Sequence, residues 1–225
     1  MLIISAPLQG IYICPNTPGS KVPSHGTSGF GEEYAVDFVM IKDGDGPKKP
    51  YKRSFIRYLM KGLDLADFYG WGQPVYSPMA GEVTEIEDGV DERCPVSIFR
   101  DYKNALKVTR DYMKNDGPSK MVTGNFVMIK SDMNLYVLLA HLKKNSVKVK
   151  KGQRINEHDE VAQLGHSGNS MMPHLHMQIM DDRDYKMARG IPFVFKEYEV
   201  KKGNEWIAVI DGIPKRQDVV RFSAG

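Results

Sequence analysis

Two histidines alternate with apolar residues in the segment PHLHMQI, which runs from Pro173 to Ile179. Side chains repeat every two residues along a β-strand, so His174 and His176 would project from the same face of a strand here. Neighbouring imidazoles are costly to bury unless a cation, an acid or water satisfies them. Because the chain contains only six histidines, this pair marks a candidate site of chemistry.

Three further residues could join this pair. His25 lies in a Gly-rich stretch twelve residues before Asp37, which interrupts the apolar run AVDFV, and His141 closes the run LLAH. One Asp and two His form a common three-ligand set for a catalytic zinc, and the remaining histidines would handle protons. Each residue taken alone is more often structural, and the spacing does not decide which histidine takes which role.

Competing catalytic signatures do not occur in the sequence. It contains no His-Glu-x-x-His, Gly-x-Ser-x-Gly or P-loop motif, and Cys14 and Cys94 form no Cys-x-x-Cys pair. These facts argue against a thermolysin-like protease, a serine hydrolase, a P-loop nucleotidase and a cysteine-ligated zinc site. We expect free thiols at both cysteines. We expect His158 and His166 to lie at the surface or to support the site indirectly.

Short strand-like runs punctuated by Gly and Pro must position these residues. Such a pattern predicts a mainly β fold, an antiparallel β-sandwich or partly open barrel. The predicted strands are Leu2–Ser5, Gly10–Cys14, Tyr34–Ile41, Gln73–Ser77, Glu82–Ile86, Asn125–Ile129, Leu135–Ala140, Val147–Val149, Glu160–Leu164 and His174–Met180.

Two segments interrupt the strand pattern, at about residues 41–71 and 89–123. The first predicts a short helix from about Arg53 to Lys61. The second predicts a longer helix, ended by Gly117-Pro118, with one apolar face formed by Phe99, Tyr102, Leu106 and Met113. We interpret both as short helical insertions over a β core and as candidate walls of a groove.

The length of 225 residues suits one large domain. We expect a single domain over residues 1–225, with a core at 24–180 and a C-terminal extension at 181–225. In that extension we predict edge strands at Ile191–Phe195 and Trp206–Ile210. The proline in the first of these segments favours an edge position.

Charge and the N-terminal sequence limit the partners. A net charge of +3 suits an anionic polymer but is too weak to argue for nucleic acid, and no nucleic-acid-reading motif occurs. The N-terminus has no basic segment and its apolar run is broken at Pro7, which predicts neither a signal peptide nor a membrane span. From these residues, either the protein stays in the cytoplasm or a leader has been removed; the oligomeric state is not predicted.

Several motif blocks follow one another in an order that resembles the lysostaphin/LytM-like zinc peptidases, a family of cell-wall endopeptidases. The resemblance covers most of residues 24–180, apart from the two insertions. The blocks are SH…YAVDF (Ser24–Phe38), GQPVYSPMAGEV (Gly72–Val83), GNFVMIK (Gly124–Lys130), LLAHLKKNSVKVKKGQ (Leu138–Gln153) and VAQLGHSGNSMMPHLHMQI (Val161–Ile179).

This resemblance implies a fold, a cofactor and residue roles. The implied fold is the duplicated hybrid motif, and the implied cofactor is Zn²⁺ bound by His25, Asp37 and His176. The resemblance further implies that His141 and His174 flank the attacking water and act in catalysis. It also implies a periplasmic or extracellular location.

The resemblance implies a zinc-dependent endopeptidase acting on peptidoglycan cross-links or stem peptides. Two alternatives remain open. One is a non-catalytic metal-binding protein of the same fold that binds the wall or activates another enzyme. The other is a zinc peptidase with a different extended peptide substrate.

Overall fold

The computed structural model describes residues 1–42, 44, 48–115 and 120–223. Within these ranges the chain forms strands β1 (Leu2–Ile4), β2 (Gly10–Ile13), β3 (Val36–Met40), β4 (Pro74–Tyr76), β5 (Gly81–Glu87), β6 (Asn125–Lys130), β7 (Tyr136–Leu142), β8 (Arg154–Ile155), β9 (Glu160–Gln163), β10 (Leu175–Met180), β11 (Phe193–Lys202), β12 (Glu205–Gly212) and β13 (Val220–Phe222). The helices are α1 (Phe55–Lys61), α2 (Ile98–Asn115) and α3 (Lys120–Thr123), with 3₁₀ turns at Gly29–Tyr34 and Leu65–Asp67.

One open sheet dominates the molecule. Its strand order is β1-β11-β13-β2-β3-β10-β7-β6-β5-β8, β12 pairs with β11, and β4 and β9 form a separate two-stranded sheet. Neighbouring strands are antiparallel except for β1 and β11, which are parallel. The mainly β prediction is therefore confirmed. The large sheet does not close into a barrel, because β1 and β8 lie at opposite ends of its order.

The predicted strands differ from the observed ones mainly in the second half of the chain. Val147–Val149 is not a strand, and the predictions miss β8 and β13. The prediction of an edge strand at Ile191–Phe195 is wrong, because β11 pairs with β1, β12 and β13. Pro192 precedes β11, so it removes no hydrogen bond from the ladder and does not confine the strand to an edge.

The two faces of the central strands serve different purposes. Alternate residues such as Phe38, Leu139 and Met177 point into the main hydrophobic core. Residues one step along the same strands lie on the opposite face, where Ala140 and Met180 belong to a second, smaller cluster. This alternation places the polar residues of β3 and β10 on the face away from the main core.

Helix α1 begins and ends at residues suited to those positions. The Ser54 hydroxyl accepts a hydrogen bond from the backbone N–H of Arg57, and Gly62 ends the helix with a φ of 74°. Only Tyr58 of α1 is buried; it contacts the rings of Tyr51 and Phe68. The helix is thus attached to the body through one aromatic side chain.

Helix α2 packs against the body with a different face from the apolar one predicted. The predicted face is exposed at Phe99, Tyr102 and Leu106. The Met113 side chain and Gly117-Pro118 lie outside the described residues. The buried stripe of the helix instead consists of Asp101, Val108 and Tyr112. Apolar periodicity located the helix correctly but did not predict which face packs against the body. That face includes the buried carboxylate of Asp101.

Two smaller features complete the description. Cys14 is a buried free thiol in the main core and Cys94 is an exposed one. Within the described residues, none of the helices combines the length and apolar character needed to cross a membrane.

We propose that the whole chain folds as one domain, because its last strand completes the main core. Phe222 of β13 has ring contacts with Tyr12, Phe38 and Phe195, with the last centroid 5.5 Å away. We expect Phe222→Ala to lower the free energy of unfolding by about 3–5 kcal/mol, as measured by urea denaturation. The control Phe99→Ala, in an exposed side chain, should change it by about 0.5 kcal/mol or less. An unchanged midpoint for Phe222→Ala would contradict a single cooperative domain.

Candidate metal centre and active site

The register of β3 against β10 brings Asp37 directly opposite His176. Both side chains are buried on the face away from the main core. The Nδ1 atom of His176 lies 2.9 Å from Oδ1 of Asp37. Residues separated by more than half of the chain thus form the base of the site through strand pairing alone.

His25 reaches the same carboxylate from a loop. Its Nε2 atom lies 3.1 Å from Oδ2 of Asp37, and its ring centroid is 4.9 Å from that of His176. The loop is anchored to the adjacent 3₁₀ turn, because the Ser24 backbone N–H donates to the carbonyl of Glu33. The structure therefore brings together all three residues that the resemblance implies as ligands.

Neighbouring groups determine which ring nitrogen of each histidine faces Asp37. The Ser24 hydroxyl donates to a backbone carbonyl, so it accepts from Nδ1 of His25 at 3.0 Å and leaves Nε2 towards Asp37. The Gln178 amide donates to the carbonyl of Phe30, so its Oε1 accepts from Nε2 of His176 at 2.9 Å. Such partners orient metal-binding histidines in general.

These three side chains could hold a divalent cation. One donor atom from each of His25, Asp37 and His176 lies within 4.8 Å of the other two. A tetrahedral zinc with bonds of about 2.0–2.2 Å needs donor atoms roughly 3.4 Å apart. His25 and His176 each contact a different oxygen of Asp37, at 3.1 and 2.9 Å respectively, slightly less than that distance. The donor set of two imidazoles and one carboxylate also suits zinc.

His174 lies at the edge of this group. Its Nδ1 atom is 2.8 Å from the carbonyl of Met172, so Nδ1 carries the proton, and Nε2 lies 3.7 Å from Oδ1 of Asp37. Its ring centroid is 4.7 Å from that of His141. The two predicted catalytic histidines are thus neighbours beside the carboxylate.

A β-bulge orients His141 towards the site. The register pairs Asn125 with Leu142 and Phe126 with Ala140, which leaves His141 as the extra residue of β7. Its φ of 63° lies in the left-handed region, a conformation that costs about 1–2 kcal/mol for a non-glycine residue. With regular alternation His141 would follow Leu139 into the main core. The bulge turns it to the other face instead, where its Nδ1 donates to the carbonyl of Ser167 at 3.0 Å.

The buried groups have strongly shifted pKa values. Burial alone would raise the pKa of Asp37, but the electrostatic interaction with His174, followed by the contacts with His176 and His25, holds it well below its ordinary value. Burial also opposes a charged His176, yet the hydrogen bond and the charge of Asp37 raise its pKa to about 9. A protonated His176 thus balances Asp37 in the absence of a cation, and a divalent ion would replace that proton.

The two flanking histidines are shifted the other way. Burial, followed by the neighbouring charges of His174 and His176, lowers the pKa of His141 well below its ordinary value. Burial lowers the pKa of His174 as well, although the charge of Asp37 opposes this shift. Both imidazoles are neutral near pH 7 and can accept a proton.

Sequence reasoning missed the residues that support the site. Gln178 shares the strand face of His176, and two-residue periodicity could have identified it. Asn16, whose Nδ2 donates to Oδ2 of Asp37 at 2.7 Å, carries no local signal. His166 is fully buried with Nδ1 2.9 Å from the Ser170 hydroxyl, so of its two predicted positions the supporting one near the site is observed. His158 remains partly exposed at the surface.

The chain belongs to peptidase family M23, whose family model matches residues 58–187. The match spans more than half of the chain and includes His141, His174 and His176. It does not extend to His25 and Asp37, so their grouping with His176 depends on the fold. The region from residue 58 to residue 187 is therefore an M23-family region.

Solved structures that the chain matches include two peptidases and one M23 protein. A zinc-containing peptidase from Vibrio cholerae is 17% identical, with a TM-score of 0.40; the match covers 84% of this chain and 38% of that one. The catalytic domain of lysostaphin from Staphylococcus simulans is 16% identical (TM-score 0.40; 81% and 88% covered). A mutant of the catalytic domain of the prophage-encoded M23 protein EnpA from Enterococcus faecalis is 15% identical (TM-score 0.39; 80% and 87% covered). The chain thus spans well under half of the first of these proteins. No curated protein sequence matches the chain.

We expect Gln178→Leu to weaken binding of Zn²⁺ by about 10–100-fold, because losing a partner of a ligating histidine typically has this effect. Competition with a chromophoric chelator measures the affinity. His176→Ala should abolish tight binding, and Gln217→Leu, in an exposed glutamine, should leave it unchanged. Equal affinities for Gln178→Leu and the parent chain would show that Gln178 does not orient a ligand.

Proposed function

We propose that this peptidase is a zinc-dependent endopeptidase that hydrolyses peptide bonds in peptidoglycan, in its cross-links or stem peptides. One observation carries the proposal: donor atoms of His25, Asp37 and His176 converge within 4.8 Å beside two further imidazoles. A purely structural role would not require five ionisable side chains to cluster in one place, since burying them costs free energy.

In this proposal His25, Asp37 and His176 hold the zinc. Bound zinc supplies a Lewis acid, which polarises the scissile carbonyl and acidifies water. Two neutral imidazoles and one carboxylate leave room for solvent and substrate, as in other catalytic zinc sites. Asn16 and Gln178 keep their partners oriented by donating to Asp37 and accepting from His176.

His141 and His174 carry out the proton transfers. Each uses Nδ1–H for a backbone carbonyl, of Ser167 and Met172 respectively, which leaves Nε2 for the reaction. The Nε2 atom of a neutral imidazole takes a proton from the attacking water and then delivers it to the leaving amine. The other imidazole, whose proton is also on Nδ1, presents Nε2 as a second acceptor that would orient the attacking water.

The substrate class is supported by the sequence more than by the geometry. The motif blocks from Ser24 to Ile179 resemble those of cell-wall endopeptidases, and a net charge of +3 suits an anionic polymer such as the bacterial wall. We therefore place the peptide bonds of peptidoglycan ahead of other extended peptides.

We expect His141→Ala to retain one zinc per chain and to lose about 100–10,000-fold in turnover, the usual contribution of a general acid or base. Metal analysis of the purified variant and the rate of appearance of new amine termini test the two parts separately. His158→Ala, which removes a partly exposed histidine, should leave both unchanged. Normal turnover in His141→Ala would reject the role assigned to His141.

Digestion of purified sacculi tests the substrate. We expect the zinc-loaded protein to release muropeptides with new amine termini, identified by mass spectrometry, and a chelator to stop the release. Zinc binding without any cleavage of sacculi or of an unrelated extended peptide such as β-casein would favour a non-catalytic binding protein. Cleavage of the peptide alone would indicate a different substrate.

A further inference from the structure

Helix α2 exposes an apolar stripe instead of burying it. Phe99, Tyr102 and Leu106 follow the spacing of one helical face, and they are 61%, 55% and 56% exposed. The buried residues Asp101 and Val108 lie on another side of the helix. Amphipathic helices of globular proteins normally turn their apolar stripe towards the core. The stripe of α2 faces outwards, so packing within the chain does not explain it.

Helix α1 repeats this arrangement. Its exposed apolar side chains are Phe55, Ile56, Leu59 and Met60. Residues four apart are neighbours on a helix surface, so these four side chains form a second outward stripe. Only Tyr58 of this helix is buried.

A backbone bridge holds the end of α1 beside the start of α2. The N–H of Leu63 donates to the carbonyl of Val96 at 2.9 Å, and the N–H of Val96 donates to the carbonyl of Leu63 at 2.7 Å. An added Cβ on Gly62 would lie 2.6 Å from the same Val96 carbonyl oxygen. Because Leu63 follows α1 closely and Val96 closely precedes α2, the two stripes belong to one region of the surface.

Exposed basic side chains without carboxylate partners lie beside both stripes. They are Arg57 and Lys61 in α1 and Lys103 and Lys107 in α2. Among the residues that the structure describes, none of these four cations forms an ion pair. The carboxylates of α2 have other partners, because Asp101 is buried and pairs with Arg93, and Asp111 pairs with Arg110. The uncompensated charge around the stripes is therefore positive.

An anionic lipid bilayer fits this surface better than a protein partner does. Helices with protruding apolar side chains and adjacent Lys and Arg bury the apolar tips between headgroups and acyl chains, while the cations attract anionic lipids. A fluid bilayer needs no pockets shaped to flexible side chains such as Met60. A symmetric contact between two copies of the chain would bring identical cations together, because both copies contribute the same patch.

We propose that the exposed stripes of α1 and α2, with their four unpaired cations, form a docking surface for anionic phospholipid bilayers. The apolar side chains enter the outer part of the acyl region, and the cations contact lipid phosphates. The protein then lies on the bilayer through its two insertions. Docking does not depend on the proposed peptide hydrolysis, because neither helix supplies a residue of the candidate metal centre.

Co-sedimentation of the full chain with lipid vesicles tests this surface. The vesicles contain phosphatidylcholine, either alone or with about one third phosphatidylglycerol as the anionic lipid. We expect binding to the anionic vesicles only. Most of this binding should be lost at about 1 M salt, where the screening length falls to about 3 Å.

Paired alanine substitutions test the apolar contribution. Phe99→Ala combined with Leu106→Ala should weaken binding at least about 10-fold, because membrane affinity grows with the apolar area that is buried. The matched control combines Ile207→Ala with Ile210→Ala, two exposed apolar residues of β12, and should bind as the parent chain does. Alanine favours helices, so we expect the midpoint of urea denaturation of the α2 variant to stay unchanged.

Paired glutamine substitutions test the charge. Lys103→Gln combined with Lys107→Gln should weaken binding about 20–30-fold, because each cation near an anionic surface contributes about fivefold. Lys150→Gln combined with Lys151→Gln removes the same charge from an exposed turn and should have little effect.

Two further variants examine α1 and the depth of insertion. Ile56→Ala combined with Met60→Ala should weaken binding at least about 10-fold if α1 enters the bilayer with α2. In Leu106→Trp, brominated acyl chains should quench the new indole. They should lower the fluorescence of this variant more than that of the parent chain, whose Trp71 and Trp206 lie outside both helices.

The outcomes separate docking from hydrolysis. Absence of binding to anionic vesicles, or equal binding by the α2 variants and their controls, overturns the docking surface. Equal quenching of Leu106→Trp and the parent chain overturns it as well, and so does a parent dimer in sedimentation velocity that Phe99→Ala dissociates. Unchanged binding in the α1 variant removes α1 from the surface. A chain that binds vesicles but cleaves no sacculi rejects only the proposed hydrolysis.

Discussion

The buried carboxylate of Asp37 is the constraint on which the site depends. An ionised carboxylate removed from water is costly unless charged or hydrogen-bonding partners surround it. Here Asn16, His25 and His176 contact its two oxygens, and His174 lies 3.7 Å away. The strand register that pairs Asp37 with His176 therefore specifies an electrostatic centre, and the loop that carries His25 closes over it.

Around this centre the histidines fall into two groups with opposite proton preferences. His176 contacts the carboxylate directly, which raises its pKa to about 9. His141 and His174 are held with lowered pKa values, mainly by burial. His176 therefore favours a bound proton or cation beside Asp37, whereas His141 and His174 are neutral and can accept a proton. Such a separation of pKa values within a small volume is typical of catalytic sites.

The second insertion packs behind the candidate site. Its helix α2 exposes Phe99, Tyr102 and Leu106 and buries Asp101. Asp101 pairs with Arg93, which donates to the backbone of the loop after His166. A buried ion pair contributes little net stability, but it can specify one geometry. Here that geometry is the position of the loop that contacts His141 and His174.

Much of the fold and most of the site residues were predictable because they depend on local patterns. Two-residue alternation identified most strands and placed His174 and His176 on a common face, and the motif blocks pointed to His25, Asp37 and His141. Short strands such as β8 and β13 were missed, since they carry too few residues for a pattern.

What only the tertiary structure decided is how distant residues meet. The sequence by itself determined the residue types of the candidate site and the mainly β architecture. The bulge that turns His141 out of the main core, the burial of His166 and the contact of Asn16 with Asp37 depend on strand register and on packing between segments far apart in the chain. Register is a property of paired strands, so no single segment encodes it.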